Sequence, residues 1–375
     1  MAKTYENLYE RLCSFENLHL AYRKARKNKR HKKSIIEFEL LLEENLLQLK
    51  HELETMTYDP RPMKQFVIRD PKTRVISASA FRDRVVHHAL CNIIEPIFDK
   101  AFIYDSYANR KGKGTLAALN RFDYFVRKLS ANGKLLPNAK DNNQIFGYAL
   151  KADIRHYFDS VDHEVMMRVI GRRIKDEKLL WLIKKILDNY NGEKQHNAQG
   201  ASIGSGKGMP IGNLTSQFFA NVYLNELDYF VKHKLKAKRY IRYVDDFVIL
   251  DASKEKLESY KPAINAFLKT IKLELHPQKS KVVPLQSGVK LLGFRIFYNY
   301  KLLKRSNARR IPHRVQNFIE LYADGIMDTY EIFESMEGWN AYAMHGNTYR
   351  FRRALMKKLY KSLNRIDAKI GNSFA

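Results

Sequence analysis

The sequence predicts an α+β protein built from two or three subdomains. Its 375 residues are 45% hydrophobic, which supports a sizeable core and argues against disorder along the whole chain. Residues 147–300 alternate between strand-like and helical patterns, whereas residues 1–60 and 307–370 show mainly helical periodicity. This order, with strands in the middle of the chain and helices at both ends, predicts the α+β class.

Charge is the second informative feature. The 67 Lys and Arg residues outnumber the 40 Asp and Glu residues, which gives a net charge of +27. This surplus predicts a polyanionic partner, with nucleic acid ahead of an anionic membrane surface and a generally basic proteome as the alternative explanation. No run of about 18 apolar residues occurs, so no membrane span is expected. Cys13 and Cys91 are too few for a disulfide framework or a four-cysteine zinc site, and a cytoplasmic location is expected.

The first elements are helical. Apolar residues recur at helical spacing in residues 1–59, and a basic run at 23–33 is interpreted either as a solvated loop or as a phosphate-binding segment. A hairpin is expected at 65–78, because two β-prone runs flank the turn signal Asp-Pro-Lys-Thr. A helix at 82–98 follows, and then a basic, glycine-rich loop at 106–115 that opens another helix.

The later elements alternate. In order, we expect a strand at 148–154, a helix from Ser160 or Asp162, a helix at 214–233, a hairpin at 240–250, a helix at 254–271 and mainly helix over 307–370.

Two adjacent carboxylates interrupt the apolar, β-prone run at 239–250. Burying Asp245 and Asp246 together costs several kcal/mol unless a cation neutralises them, and the alternative is an exposed, inert turn. Asp153 ends another apolar strand, so the three acids supply the minimum set for two-metal phosphoryl transfer. Mg²⁺ suits such a site, with Mn²⁺ as the alternative ion. Spacing alone favours Phe158 as a core aromatic over a wall beneath a sugar.

The segment Tyr243-Val244-Asp245-Asp246 resembles the signature of reverse transcriptases. Other blocks stand along the chain in that family's order, at 153–158 and 208–217 before this segment and at 276–280 and 291–295 after it. The resemblance implies a right-hand polymerase whose palm has an antiparallel sheet. It implies boundaries for each part: an N-terminal helical basic extension at 1–59, fingers at 60–146, a palm with an interleaved fingers segment at 147–300 and a helical thumb at 301–375.

The same resemblance implies roles for individual residues. Those of the metal site are Asp153, Ile154, Asp245 and Asp246, of which the three acids are catalytic. Nucleotide-binding residues are Arg69, Lys72, Arg74, Phe158 (as the sugar gate), Ile211, Gly212, Gln217 and Lys279. The primer grip consists of Leu292, Gly293 and Phe294. Nucleic-acid-binding residues are Arg110, Lys111, Lys113, Arg309 and Arg310.

The block at 208–217 is similar to that of a particular subgroup of reverse transcriptases. Retroviral and group II intron enzymes usually carry Gln-Gly and Ser-Pro where this chain has Ile211-Gly212 and Ser216-Gln217. This form resembles the reverse transcriptases of diversity-generating retroelements, which copy a template RNA with errors at adenines. Defence-associated bacterial reverse transcriptases and group II intron-type maturases or RNA-binding scaffolds are the alternatives. The partners implied are template RNA, cDNA or primer, dNTPs and a small basic accessory oligomer, with no membrane.

Overall fold

The computed structural model describes residues 3–69, 73–138, 144–190 and 206–372. It confirms a mixed α and β architecture that divides into two compact units. The first unit comprises residues 1–114, 152–249 and 258–281, and the second comprises residues 115–151, 250–257 and 282–375. The predicted boundaries of extension, fingers, palm and thumb remain predictions.

The first unit opens with a helical cluster, as the periodicity predicts. Its helices are α1 (Tyr9–Cys13), α2 (Phe15–Ala25), α3 (Lys33–Leu40), α4 (Leu42–Glu54) and α5 (Phe81–Asp99). Leu12, Leu18, Val86 and Leu90 are fully buried among them, so the apolar stripe of each helix faces a shared core. The basic run at 23–33 covers the end of α2 and the turn into α3, where most of its residues are exposed.

The expected hairpin is present between α4 and α5. Strands β1 (Lys64–Ile68) and β2 (Arg74–Ala78) pair antiparallel, with Lys64 opposite Ala78 and Ile68 opposite Arg74. All five residues of β1 are exposed.

A four-stranded sheet holds the acidic residues. Its strands are β3 (Tyr148–Asp153), β4 (Arg239–Tyr243), β5 (Asp246–Asp251) and β6 (Lys281–Pro284), in the order β4-β5-β3-β6. The expected hairpin at 240–250 is confirmed, and the two residues Val244 and Asp245 form its turn. Phe247, Val248 and Ile249 are buried in succession, which explains why the sequence there is apolar without alternation.

Helices complete this part of the chain. They are α7 (Tyr157–Ser160), α8 (His163–Gly171), α9 (Glu177–Asp188), α10 (Leu214–Tyr229) and α11 (Lys254–Thr270). The second of the two expected starts is confirmed, because Asp162 is the N-cap of α8 and accepts a hydrogen bond from the amide of Val165 at 3.0 Å. The helix predicted at 214–233 is α-helical only to Tyr229 and continues as a π-helical turn over Phe230–Lys234.

The second unit contains a small sheet and a helical bundle. Its elements are α6 (Thr115–Leu129), β7 (Val289–Leu291), β8 (Phe294–Ile296), β9 (Lys301–Leu303), α12 (Arg305–Ala323), α13 (Thr329–Ala343) and α14 (Tyr349–Asn372). The three strands pair antiparallel in sequence order. Val315, Ile332, Met336 and Leu359 form the bundle core, so the helical expectation for 307–370 is confirmed. Within the described part of the chain, no helix has both the length and the apolarity to cross a membrane.

Candidate active site

The turn between β4 and β5 places Asp245 and Asp246 at the end of the sheet. Val244 has a φ of +54°, a left-handed conformation that is rare for a β-branched residue. Asp246 begins β5, and both acids are partly buried. Burial, the carboxylate of Asp246 and the carboxylate of Asp153 raise the pKa of Asp245 to about 6.

The end of β3 meets this turn. The amide of Ile154 donates to the backbone carbonyl of Asp245 at 3.3 Å, which brings Asp153 beside the two acids. The amide of His276 donates to the carbonyl of Asp153 at 2.7 Å. Lys279 then forms an ion pair with the Asp153 carboxylate at 3.2 Å. Asp153 and Asp245, which are 92 residues apart in sequence, therefore lie beside each other.

The fit of these residues to a metal ion depends on their donor atoms. In the described ranges, no group of three or more His, Cys, Asp or Glu side chains is arranged so that these side chains alone could hold a metal ion. Mg²⁺ seldom needs such a group, because it is usually bound through one or two carboxylates and the phosphates of its substrate. Asp153, Ile154, Asp245 and Asp246 offer only oxygen ligands, and a divalent cation would offset the carboxylate repulsion that, after burial, raises the pKa of Asp245. The donor set therefore fits Mg²⁺.

A buried ion pair lies beneath the turn, and the sequence analysis missed it. The side chains of Arg242 and Asp228 are both 0% exposed and form two hydrogen bonds, at 2.7 and 2.6 Å. Tyr240 donates its hydroxyl to Asp228 at 2.7 Å. The available signal was an arginine inside the apolar strand β4 and an aspartate inside the largely apolar helix α10.

Phe158 lies on α7, five residues after Asp153 in sequence. Tyr157 is the buried aromatic of this pair, and its hydroxyl donates to the carbonyl of Ala220 at 3.0 Å. Phe158 is partly exposed, with its ring 5.4 Å from that of Tyr157. The interpretation of Phe158 as a core aromatic is therefore wrong, because the buried ring is that of Tyr157, and the sugar-gate role of Phe158 stays a prediction.

The structure joins the β1–β2 hairpin to the 208–217 block, and both carry predicted nucleotide-binding residues. The amide of Ser77 on β2 donates to the carbonyl of Ile211 at 3.3 Å. Arg69 and Arg74 are exposed at the far end of the hairpin. Lys72 lies outside the described residues.

A basic cavity of about 260 Å³ adjoins the same block. Gly212 and Gln217 line it together with Lys24, Arg84 and His87. Burial lowers the pKa of His87 to about 3, so its imidazole is neutral, and the cavity's positive charge comes from Lys24, Lys29 and Arg84. This chemistry suits an anionic group such as a backbone phosphate.

The basic loop before α6 changes one assignment. Arg110 was predicted to bind nucleic acid, but its side chain is only 9% exposed and pairs with Asp99 at 2.6 Å. It also donates to the carbonyl of Ile103 at 2.8 Å, so its donors shape the loop itself. Lys111 is exposed and Lys113 partly so, and a nucleic-acid contact remains a prediction for these two lysines.

The predicted primer-grip residues lie in the second unit, with Leu292 and Gly293 between β7 and β8 and Phe294 at the start of β8. Leu292 and Gly293 have φ values of +46° and +86°, which makes a tight left-handed turn. Tyr342 donates its hydroxyl to the carbonyl of Leu292 at 3.4 Å, and its ring lies 4.9 Å from that of the buried Phe294. The turn is thus fixed by α13.

Two predicted nucleic-acid-binding residues lie on α12 of the same unit. Arg309 and Arg310 are exposed, whereas Ile311 and Val315 on the same helix enter the bundle core. An exposed basic face is what a phosphate contact requires, and the contact itself stays a prediction.

Replacing Gly293 by alanine is expected to lower the free energy of unfolding by about 1–3 kcal/mol. An added Cβ would collide with the hydroxyl of Tyr342, and the positive φ disfavours any L side chain. Gly338→Ala is the matched control, because its Cβ would meet nothing within 4 Å in the middle of α13, and it is expected to raise stability by about 0.5–1 kcal/mol. Thermal unfolding of both variants checks this, and an unchanged melting temperature for Gly293→Ala would contradict the tight-turn geometry.

Comparison with known proteins gives a consistent result. A family model described as "Reverse transcriptase (RNA-dependent DNA polymerase)" matches residues 67–296. The chain is 26% identical to protein YkfC of Escherichia coli over 284 residues, which is 66% of this chain and 70% of that protein. It is 24% identical to the group II intron-encoded protein LtrA of Lactococcus lactis over 328 residues, which is 68% of this chain and 50% of LtrA. The chain therefore spans about half the length of LtrA.

One solved structure bears on the fold alone. Telomerase from Candida albicans in complex with a fragment of telomeric RNA superposes with a TM-score of 0.51 at 12% identity, covering 83% of this chain and 55% of that one. The likeness confirms the predicted right-hand polymerase fold.

Proposed function

The chain belongs to the reverse transcriptase family and carries the domain of an RNA-directed DNA polymerase, and from this premise we propose that it makes cDNA on an RNA template by two-metal nucleotidyl transfer. The observation that supports the proposal most strongly is the junction of β3 with the β4–β5 turn. There the Ile154 amide donates to the Asp245 carbonyl, and the carboxylates of Asp153 and Asp246 are close enough to raise the pKa of Asp245.

Acidic residues would bind the metal ions, and basic residues would bind the phosphates of the nucleotide. Asp153, Asp245, Asp246 and the Ile154 carbonyl would hold two Mg²⁺ ions, which when bound supply Lewis acidity for the attacking 3′-hydroxyl and the leaving pyrophosphate. Lys279 balances Asp153 in the free protein and, close to the acids, is available to the leaving phosphates. Arg69 and Arg74 on the hairpin, together with Lys72 between them in sequence, would neutralise the triphosphate.

Primer extension tests the proposal. A DNA primer annealed to a defined RNA template is expected to be extended by dNTPs in the presence of Mg²⁺. The second candidate function is a maturase or RNA-binding scaffold, favoured by the likeness to LtrA. RNA binding without any incorporation of dNTPs would support the scaffold and contradict the polymerase.

The subtype proposed is a diversity-generating retroelement enzyme that makes errors at adenines. Ile211 supports it, because an apolar contact replaces a hydrogen-bonding amide beside the nascent base pair. Sequencing the cDNA bound to the purified protein distinguishes this role from the defence-associated alternative. Adenine-specific errors support mutagenesis, whereas repetitive or untemplated products support defence.

Replacing Ile211 by glutamine is expected to lower misincorporation opposite adenine roughly tenfold, because a site that hydrogen-bonds its ligand discriminates more strongly than an apolar one. The Ile211 carbonyl that accepts from Ser77 is unaffected, so the local backbone should persist. Error rates on an adenine-rich template, compared with those on a template lacking adenine, give the measurement. Unchanged misincorporation opposite adenine would count against the role assigned to Ile211.

The partners proposed are template RNA, the cDNA or primer strand, dNTPs and a small basic accessory oligomer. The net charge of +27 and the exposed lysines and arginines support the nucleic-acid partners. A cytoplasmic location is proposed from the two unpaired, buried cysteines. The accessory oligomer rests on the subtype alone, and co-purification with the chain tests it.

A further inference from the structure

The buried pair of Arg242 and Asp228 joins a helix to a strand. The Arg242 Nε and Nη2 atoms donate to the two carboxylate oxygens of Asp228, which lies in the last turn of α10. Both side chains are 0% exposed, and Tyr240 donates a further hydrogen bond to Asp228. The carboxylate thus has three donors, which locks the guanidinium in one orientation.

The remaining nitrogen of this guanidinium reaches the acidic turn, which is formed by Val244 and Asp245 between β4 and β5. Arg242 Nη1 donates to the Asn221 side-chain oxygen at 3.1 Å and to the Val244 carbonyl at 3.3 Å. Val244 has the left-handed φ of +54° and immediately precedes Asp245. A non-glycine residue keeps such a conformation only where its surroundings hold it, and Arg242 is the buried group that contacts it from below.

The backbone of Arg242 connects a third segment. Its amide donates to the carbonyl of Asp105, and its carbonyl accepts from the amide of Tyr107, both at 3.0 Å. The Asn221 side chain also donates to the carbonyl of Ala108 at 2.8 Å. One residue therefore ties the basic loop, helix α10 and the acidic turn together.

Stability alone explains this arrangement poorly. Replacing a buried ion pair by well-packed apolar residues is often neutral or stabilising, so such a pair is weak grounds for a purely structural role. Its particular property is geometry, because the planar guanidinium presents five donors in fixed directions. Here those directions meet Asp228, Asn221 and the carbonyl of the strained residue beside a catalytic acid.

We propose that Arg242, oriented by Asp228 and Asn221, is a positioning residue that fixes the Val244 backbone and thereby aims the Asp245 carboxylate at the metal site. The inference rests on the proposed nucleotidyl transfer. Its consequence is that the conformation of the acidic turn depends on the guanidinium, whereas the binding of nucleotide and template does not.

The test compares Arg242→Lys with a matched control, Asp162→Asn. Lysine keeps the positive charge but lacks the planar set of N–H donors of the guanidinium. Asp162 suits the control because it is also a buried carboxylate in an ion pair, with Lys272 at 2.7 Å, and does not contact the acidic turn. We expect Arg242→Lys to lower the single-turnover incorporation rate about 10-fold to 100-fold and to raise the half-saturating Mg²⁺ concentration, with dNTP affinity within about twofold. The control is expected to lower the melting temperature without moving the Mg²⁺ dependence.

A second measurement does not need activity. Amide hydrogen exchange over residues 243–246 of the metal-free protein is expected to quicken in Arg242→Lys and to stay unchanged in Asp162→Asn. Asn221→Ala, a smaller change, is expected to act in the same direction and serves if Arg242→Lys does not fold. Unaltered exchange together with an unaltered Mg²⁺ dependence would overturn the proposal. An inactive wild-type protein would refute the proposed function instead, and the exchange data would still decide the positioning role.

Discussion

Replacing Asp245 and Asp246 together by asparagine is expected to lower dNTP incorporation by at least about 10³-fold. Metal ions at such a site contribute several kcal/mol of transition-state stabilisation, and each 1.4 kcal/mol is worth roughly a factor of ten in rate. Asparagine keeps the shape of the turn but removes the negative charge that would hold the cations. Single-nucleotide incorporation under saturating template and primer is the measurement.

The control for this variant lies on the same strand. Asp251→Asn changes the last residue of β5, whose carboxylate pairs with Lys256 at 2.8 Å, and is expected to keep the wild-type rate within a few-fold. Full incorporation by the double variant would show that the catalytic assignment is wrong.

The stability of the same double variant should move in the opposite direction to its activity. Because folding raises the pKa of Asp245 to about 6, its ionisation opposes folding, and that loss of stability develops as the pH rises from about 4 to about 6. At pH 7 without metal, the asparagine variant is therefore expected to melt no lower than the wild-type protein. A marked drop in melting temperature would show that the carboxylates support the fold rather than strain it.

Replacing Phe158 by alanine is expected to reduce the preference for dNTPs over rNTPs about 10-fold to 100-fold. Its partly exposed ring lies five residues after Asp153 in sequence, and removing it would open space for a 2′-hydroxyl. An apolar pocket rejects an added hydroxyl by about this factor. The ratio of kcat/KM for a dNTP and its matching rNTP measures the effect.

Tyr157→Phe is the matched control for the sugar gate. It removes the hydroxyl that donates to Ala220 but leaves the neighbouring ring in place, so the sugar preference is expected to persist. If Phe158→Ala kept the wild-type preference, the gate would have to be assigned to another residue.

Local signals in the sequence predicted the elements that carry the site. An apolar run interrupted by Asp245 and Asp246 predicted a hairpin, and Asp162 before an apolar stretch predicted a helix N-terminus. These features depend on propensity and spacing within a few residues, which is the scale at which a single sequence is informative.

The supporting interactions were out of reach because they join distant segments. Arg242 contacts Asp228 and Asn221 on a separate helix and the backbone of Asp105 and Tyr107 in a loop. The charges of Arg242 and Asp228 stand out within their own segments, but nothing in the sequence shows that the two residues pair. The orientation of Arg110 into its own loop was missed for the same reason, since a basic residue in a basic segment gives no sign of its partner.

The distinction between Tyr157 and Phe158 shows a further limit. Two adjacent aromatic residues lie on different sides of a short helix, and only the structure shows that the first is fully buried and the second is not. The helix itself, four residues long, is too short for periodicity to reveal its buried face.

The central claim is that Asp153, Asp245 and Asp246 support metal-dependent synthesis of DNA on RNA. Titrating Mg²⁺ during single-nucleotide addition to a primer on an RNA template tests it most directly. The expected result is a saturable rise in rate that EDTA abolishes and that Asp153→Asn shifts to higher Mg²⁺ concentration. Incorporation that proceeds without a divalent cation, or no incorporation at any Mg²⁺ concentration, would contradict it.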